Sequence, residues 1–259
     1  MSSCTKLLVA DHRHAVAPSP WPRRQFVLSA AVALVLPTGG LRAGPVDYPD
    51  EVAAIRLPRT RLSVEAYKLC RSAAPSFLLN HCMRTYVFGA LHAAHHHQAF
   101  HAETAFVAAL LHDLGLLADF ASKTGSFEID GADRAERLVR ADGGSVGESR
   151  AVWNAIVMHD MRFAIALHQS AEATLVAAGA GADVIGPDQD MISAAAVQEV
   201  VAAFPRLQFK RQFIALVADH CRRKPGAQSG TWLEGFCRQH STFPTSGTEQ
   251  AILAAPFSE

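Results

Sequence analysis

From about residue 48 onward, Ala and Leu recur at helical spacing and β-branched alternation is scarce. Apolar positions three and four residues apart lie on one face of a helix, whereas a half-buried strand needs a period of two. The pattern predicts helices over 48–56, 63–72, 76–97, 102–115, 129–141, 146–158, 168–179, 191–203, 206–223 and 231–240. Breakers stand between several of them: Pro58, Pro75, Gly125, Gly143-Gly144, Gly186-Pro187, Pro205 and Pro225-Gly226. Ser63 reads as a plain helix start, and Ser145 with Glu148 three residues on is a capping-box signature. Nothing repeats at a fixed period and no linker divides the chain. The expectation is an all-α protein, a single helical bundle from residue 46 to 259, with a loosely held tail after Ser241.

Composition closes off other classes. With 259 residues, 49% hydrophobic and 19% charged, the chain can bury a substantial core and is not of a disordered type. Lys+Arg and Asp+Glu are equal at 24 each, and no basic run stands out, so no nucleic-acid partner is expected. Five cysteines form no CxxC pair, which leaves zinc ribbons and thioredoxin-type motifs unsupported; disulfides are open in an oxidising compartment, but spacing cannot pair them. Thirteen histidines are the unusual count.

The first 44 residues read as an address. Arg23-Arg24 precedes an apolar run from Val27 to Pro37, and Leu41-Arg42-Ala43-Gly44 offers small residues for cleavage. The layout resembles a twin-arginine export signal and implies a periplasmic or secreted protein. The run is about 11 residues where a span needs roughly 20, so no stable membrane span is expected.

Chemistry concentrates around Leu110-Leu111-His112-Asp113-Leu114-Gly115, which ends an apolar helix. Adjacent residues on a helix diverge by about 100°, yet both side chains can reach one cation near the helix end. Alone the dipeptide equally fits a solvated helix terminus. Its context is stronger: Asn80-His81-Cys82-Met83-Arg84-Thr85-Tyr86 lies upstream, and Gly181-Ala182-Asp183-Val184-Ile185-Gly186 lies downstream, read as following a helix that ends near Gly179. Two imidazoles and two carboxylates make a mixed nitrogen and oxygen set that suits zinc or iron, with positions left for water or substrate. For Asp183, a loop aspartate capping the next helix is the competing reading.

At these residues the sequence resembles the HD-domain metal-dependent hydrolases, whose hallmark is a His, a His-Asp pair and a later Asp from different helices of one bundle. The likeness sharpens toward the cyanamide hydratase-like branch, through the stretches above together with Phe127-Glu128-Ile129-Asp130-Gly131-Ala132 and Cys221-Arg222-Arg223-Lys224-Pro225. It covers about residues 60–226. The resemblance implies that His81, His112, Asp113 and Asp183 hold one divalent metal, zinc first, with iron or manganese as alternatives. It implies a hydrolase or hydratase in which activated water attacks a small-molecule substrate, a nitrile such as cyanamide being one, with Asp113 and His159 as catalytic residues. Three other readings stay open: a phosphohydrolase using Arg84, Lys123 or Arg162; a di-iron oxygenase recruiting His159 and His168; and an exported metal-binding domain without turnover.

His159 ends a second apolar run, Trp153-Asn154-Ala155-Ile156-Val157-Met158-His159-Asp160, and is expected to face the substrate. The tract His95-His96-His97 reads as surface, since consecutive helical residues point apart. Glu128 and Asp130 are expected at the start of a helix that lids the site, or as charges favoured by its dipole. Apolar helical faces are equally compatible with a homo-oligomer.

Overall fold

The computed structural model describes residues 46–161, 163–242 and 255. All of them belong to one compact unit spanning residues 40–259; a second unit, residues 1–39, lies outside the described residues, and with it the expected leader. Apart from one small hairpin, the described chain is helical.

The hairpin overturns the helix expected over 48–56. Strands β1 (Glu51–Val52) and β2 (Ile55–Arg56) pair antiparallel around Ala53 and Ala54, whose φ angles are +50° and +62°. A two-residue turn with both φ positive matches the twist of a hairpin, but alanine advertises no such turn, so the local signal was misleading. Tertiary contacts hold it: Tyr48, Val52 and Leu57 enter the core, and the Glu199 carboxylate accepts a bond from the Ala53 N–H at 2.5 Å.

Helix α1 (Arg61–Ala73) starts earlier than Ser63 suggests, because Thr60 caps it by accepting from the Ser63 N–H. Helix α2 (Ser76–His95) follows Pro75, and α3 (Ala102–Leu111) is buried from Thr104 to Leu111. A helix apolar on every side belongs in the centre. Around α3 pack α1, α2, α4 (Phe127–Ala141), α5 (Val146–Met158) and α7 (Ala171–Ile185). Both halves of the capping box at Ser145 and Glu148 are present. A short helix, α6 (Phe163–Ala166), precedes α7; α8 (Ala194–Ala203), α9 (Phe209–Arg223) and α10 (Glu234–His240) complete the order.

The longest contact runs between α2 and α7, and glycine makes it. A Cβ on Gly179 would lie 1.9 Å from the Thr85 carbonyl oxygen, and one on Gly89 would lie 2.2 Å from that of Leu175. The backbones therefore touch. This corrects the helix end expected near Gly179: that glycine is a contact surface, not a stop, and α7 continues to Ile185. Asp183 consequently sits in the last turn of a helix rather than in a loop, facing α2.

Cys221 on α9 and Cys237 on α10 form a disulfide, while Cys70 and Cys82 are buried free thiols. Among the described residues no helix is long and apolar enough to cross a membrane.

Candidate metal centre

Each site residue is placed by a helix, two of them at helix ends. His112 and His159 are the C-caps of α3 and α5. Each ring turns its Nδ1 back onto the carbonyl three residues earlier, His112 to Ala109 at 2.8 Å and His159 to Ile156 at 2.5 Å. A carbonyl only accepts, so Nδ1 carries the proton in both neutral rings and Nε2 offers a lone pair inward. The 3-10 turn Leu114–Leu116 follows Asp113 and packs against α4, where a Cβ on Gly115 would lie 2.1 Å from the Phe127 carbonyl oxygen.

His81 comes from the middle of α2, stacked on Phe209 at 4.8 Å between ring centroids. Its Nδ1 meets Asp183 Oδ2 at 2.7 Å, leaving Nε2 turned toward Asp113. One ligand atom from each of His81, His112 and Asp113 lies within 4.8 Å of the others, and all three residues are buried. The imidazole Nε2 atoms stand 3.2 Å (His81) and 3.3 Å (His112) from Asp113 Oδ2. Neither His112 Nε2 nor Asp113 Oδ2 has a hydrogen-bond partner among the described residues. Buried polar atoms are rarely left so, because each costs roughly 1–3 kcal/mol. Two inward lone pairs converging on an unpartnered carboxylate oxygen are the donor set of a cation site. The bundle is thus compatible with an HD-like metal site, and a cation could be held by these three residues.

Asp183 stands behind this group. Arg84 clamps it with two bonds, Nε to Oδ1 and Nη2 to Oδ2, both 2.7 Å; Arg206 Nη1 reaches Oδ1 at 2.6 Å. With His81 on Oδ2, all of the roughly four acceptor positions of the carboxylate are taken. Of the four residues expected as ligands, the structure gathers three; it aims Asp183 at His81 Nδ1 and two guanidinium groups. The Arg84 guanidinium is fully buried, so this ion pair is both desolvated and completely bonded.

The electrostatics follow from this layout. Burial lowers the His112 pKa to about 3, against the pull of Asp113. For His81 burial acts downward too, but contacts with Asp113 and Asp183 outweigh it and the pKa is raised. Both carboxylates are held below the usual range despite burial, Asp113 by His112 and His81, Asp183 by His81 and Arg84.

His81, His112 and Asp113 form the floor of a cavity of about 190 Å3. His159 lies beside it, its ring 4.7 Å from that of His112 and its Nε2 3.8 Å from Asp113 Oδ1. The structure therefore places His159 in the wall of this cavity. His168 is exposed in the turn after α6, outside this cavity. Lys123 is exposed, Arg84 is committed to Asp183, and Arg162 lies outside the described residues. His95, His96 and His97 are exposed at the end of α2.

Asp160 also lines the cavity and carried no assignment from sequence. Burial, with the neighbouring Glu128 adding to it, raises the Asp160 pKa, so its carboxyl favours the protonated form. Glu128 in turn accepts from Gln228 Nε2 at 2.7 Å, and Asp130 pairs with Lys224 at 2.5 Å. The first turn of α4 is thus tied to the segment after α9 rather than forming a free lid. The one sequence hint for Asp160 was that His159-Asp160 repeats the His-Asp order of residues 112–113. Trp232 and Leu233, which wall the cavity opposite α7, gave no local signal at all.

No protein-family model matches the chain, and no curated protein matches it.

Proposed function

We propose that the chain is a metal-dependent hydrolase or hydratase of the HD-domain type, using His81 Nε2, His112 Nε2 and Asp113 to hold one divalent cation, zinc or iron. The observation that carries this reading is the unpartnered His112 Nε2 and Asp113 Oδ2, buried together with His81 at the floor of a cavity. When bound there, such a cation supplies Lewis acidity and makes water nucleophilic at neutral pH.

The chain's own residues supply the rest. Asp183 orients His81 through Nδ1, and Arg84 and Arg206 orient Asp183, as carboxylates commonly do for metal-binding imidazoles. His159, its Nδ1 anchored on Ile156, can take or give a proton at Nε2 toward a substrate in the cavity. Asp160, whose pKa burial raises, adds a reserve donor on the same wall. Addition of water to a nitrile, as in the cyanamide hydratase-like branch, needs one nucleophile and one such proton donor, so it fits this set. Phosphate-ester hydrolysis is less favoured, because none of the described residues lining the cavity is a lysine or arginine. Export as the chain's destination is supported by the Cys221–Cys237 bridge, since disulfides persist in oxidising compartments.

The test is elemental analysis of the purified chain beside a His112→Ala/Asp113→Ala variant, followed by assay on nitriles, amides and phosphate esters. The expected result is about one transition metal per chain, absent from the variant, with turnover on a neutral substrate. A wild-type chain that takes up no metal on reconstitution defeats the reading; a loaded chain without turnover leaves only a metal-binding module.

A further inference from the structure

We infer that the substrate of this cavity is a neutral molecule with an apolar body of at least six carbons, its reactive polar carbon facing His112 and Asp113. The inference rests on the proposed reading only for which end reacts; the shape and chemistry of the wall stand without it.

Above the histidines and aspartates the cavity is lined by Phe127, Ala177, Ala180, Val184, Phe213 and Leu233. Among its described lining residues there is no lysine or arginine to meet a phosphate, sulfate or carboxylate. In the metal-free cavity an anion entering would add charge beside Asp113 in a poorly solvated space, which is costly without a partner. The size points the same way. A dry cavity of roughly 150 Å3 accommodates benzene, and this one is about 190 Å3. A three-heavy-atom substrate such as cyanamide would leave most of the apolar wall unmatched.

The wall continues outward. Ile185 and Trp232 line the mouth and are 75% and 59% exposed. Val184, Phe213, Trp232 and Leu233 also border an adjoining groove that runs past Ile214, itself 52% exposed. Large apolar side chains left in water beside a cavity mark a place where apolar surface arrives from outside. The room comes from α7: Ala177, Ala180 and Gly181 are small, and a Cβ on Gly181 would meet nothing within 4 Å.

The experiment is isothermal titration calorimetry with n-alkanenitriles from acetonitrile to octanenitrile, and with hexyl phosphate. It is run on the full chain as isolated, on chelator-treated chain, and on Gly181→Leu. Affinity is expected to rise by about four-fold per methylene, as burial of each CH2 dictates, up to at least six carbons and in both metal states. In the chelator-treated chain hexyl phosphate is expected to bind at least ten-fold more weakly than the nitrile of equal tail. Gly181→Leu, which places a side chain in the open space, is expected to abolish the rise beyond the shortest members while metal content and melting temperature hold. Affinity flat across the series, tighter binding of hexyl phosphate by the chelator-treated chain, or an unchanged series in a folded Gly181→Leu would each overturn the inference. A series that climbs as expected in a chain that binds no metal would support the apolar substrate and sink the metallohydrolase reading alone; a metal-loaded chain with a flat series would do the reverse.

Discussion

Two buried polar clusters share His81 and differ in one respect. Around Asp183, every acceptor position is used: two arginines and an imidazole converge on one carboxylate, and nothing is left over. Around Asp113, the neighbouring imidazoles are turned inward and yet His112 Nε2 and Asp113 Oδ2 lack hydrogen-bond partners among the described residues. The first cluster is complete as protein; the second keeps donor atoms that a cation could take up. A saturated cluster contributes to folding and tolerates no loss of a member. An unsaturated one costs the fold something and can be deleted with little harm except to what it binds.

The largest effect expected from this contrast is on Arg84. Arg84→Met leaves Asp183 charged and buried without its main partner, and should cost about 3–5 kcal/mol in chemical denaturation. His112→Ala, at the unsaturated cluster, should cost far less in the metal-free chain. If the two losses were equal, the contrast would be broken. Next in size is the ligand effect. Cation at one hundred times its dissociation constant should stabilise the wild type by about 2.7 kcal/mol, read as a rise in melting temperature, and Asp113→Ala should remove that gain. Asp183→Asn should retain part of it, because an amide oxygen can still accept from His81.

Helix α7 repeats the comparison on a smaller scale. Gly179→Ala drives a methyl into the Thr85 carbonyl, forces α2 and α7 apart, and should destabilise by about 1–3 kcal/mol. Gly181→Ala, two residues on, enters open space and should stabilise by roughly 0.5–1 kcal/mol through helix propensity. The smallest effect expected is a slope with pH. His112 is neutral in the fold down to a pKa of about 3 but protonates near 6.5 when unfolded, so the unfolded chain binds more protons in that window. Stability of the metal-free chain should therefore rise with pH from about 3 to 6.5. His81, with a raised pKa, is protonated in both states there and adds little slope. His112→Gln should flatten the profile; an unchanged slope would mean that His112 titrates normally in the fold.

What was legible in the sequence was local. The His112-Asp113 pair, His81 and His159 announce themselves by short runs on apolar helices, and the capping box at Ser145 is a four-residue signal. What was hidden depends on distant partners. Gly179 looks like a stop until Thr85, 94 positions away, is seen against it. Ala53-Ala54 carries no turn signal and is held by Glu199. The saturation of Asp183 needs Arg206, and the raised pKa of Asp160 needs Glu128 from α4 brought beside it. The pairing of Cys221 with Cys237 could not be read from spacing alone.

That bridge has a consequence for recognition. It closes a loop from Cys221 to Cys237, and the loop contains Trp232 and Leu233, the outer wall of the cavity. The Trp232 N–H is in addition bonded to the Asp160 carbonyl, so the wall is tethered at both faces. Closing a loop of this length removes about 3 kcal/mol of chain entropy in the simplest account. The wall is thereby preorganised: its freedom is surrendered when the thiols oxidise, not when a guest arrives. A guest should bind the oxidised chain more tightly than the reduced one without gaining a single new contact.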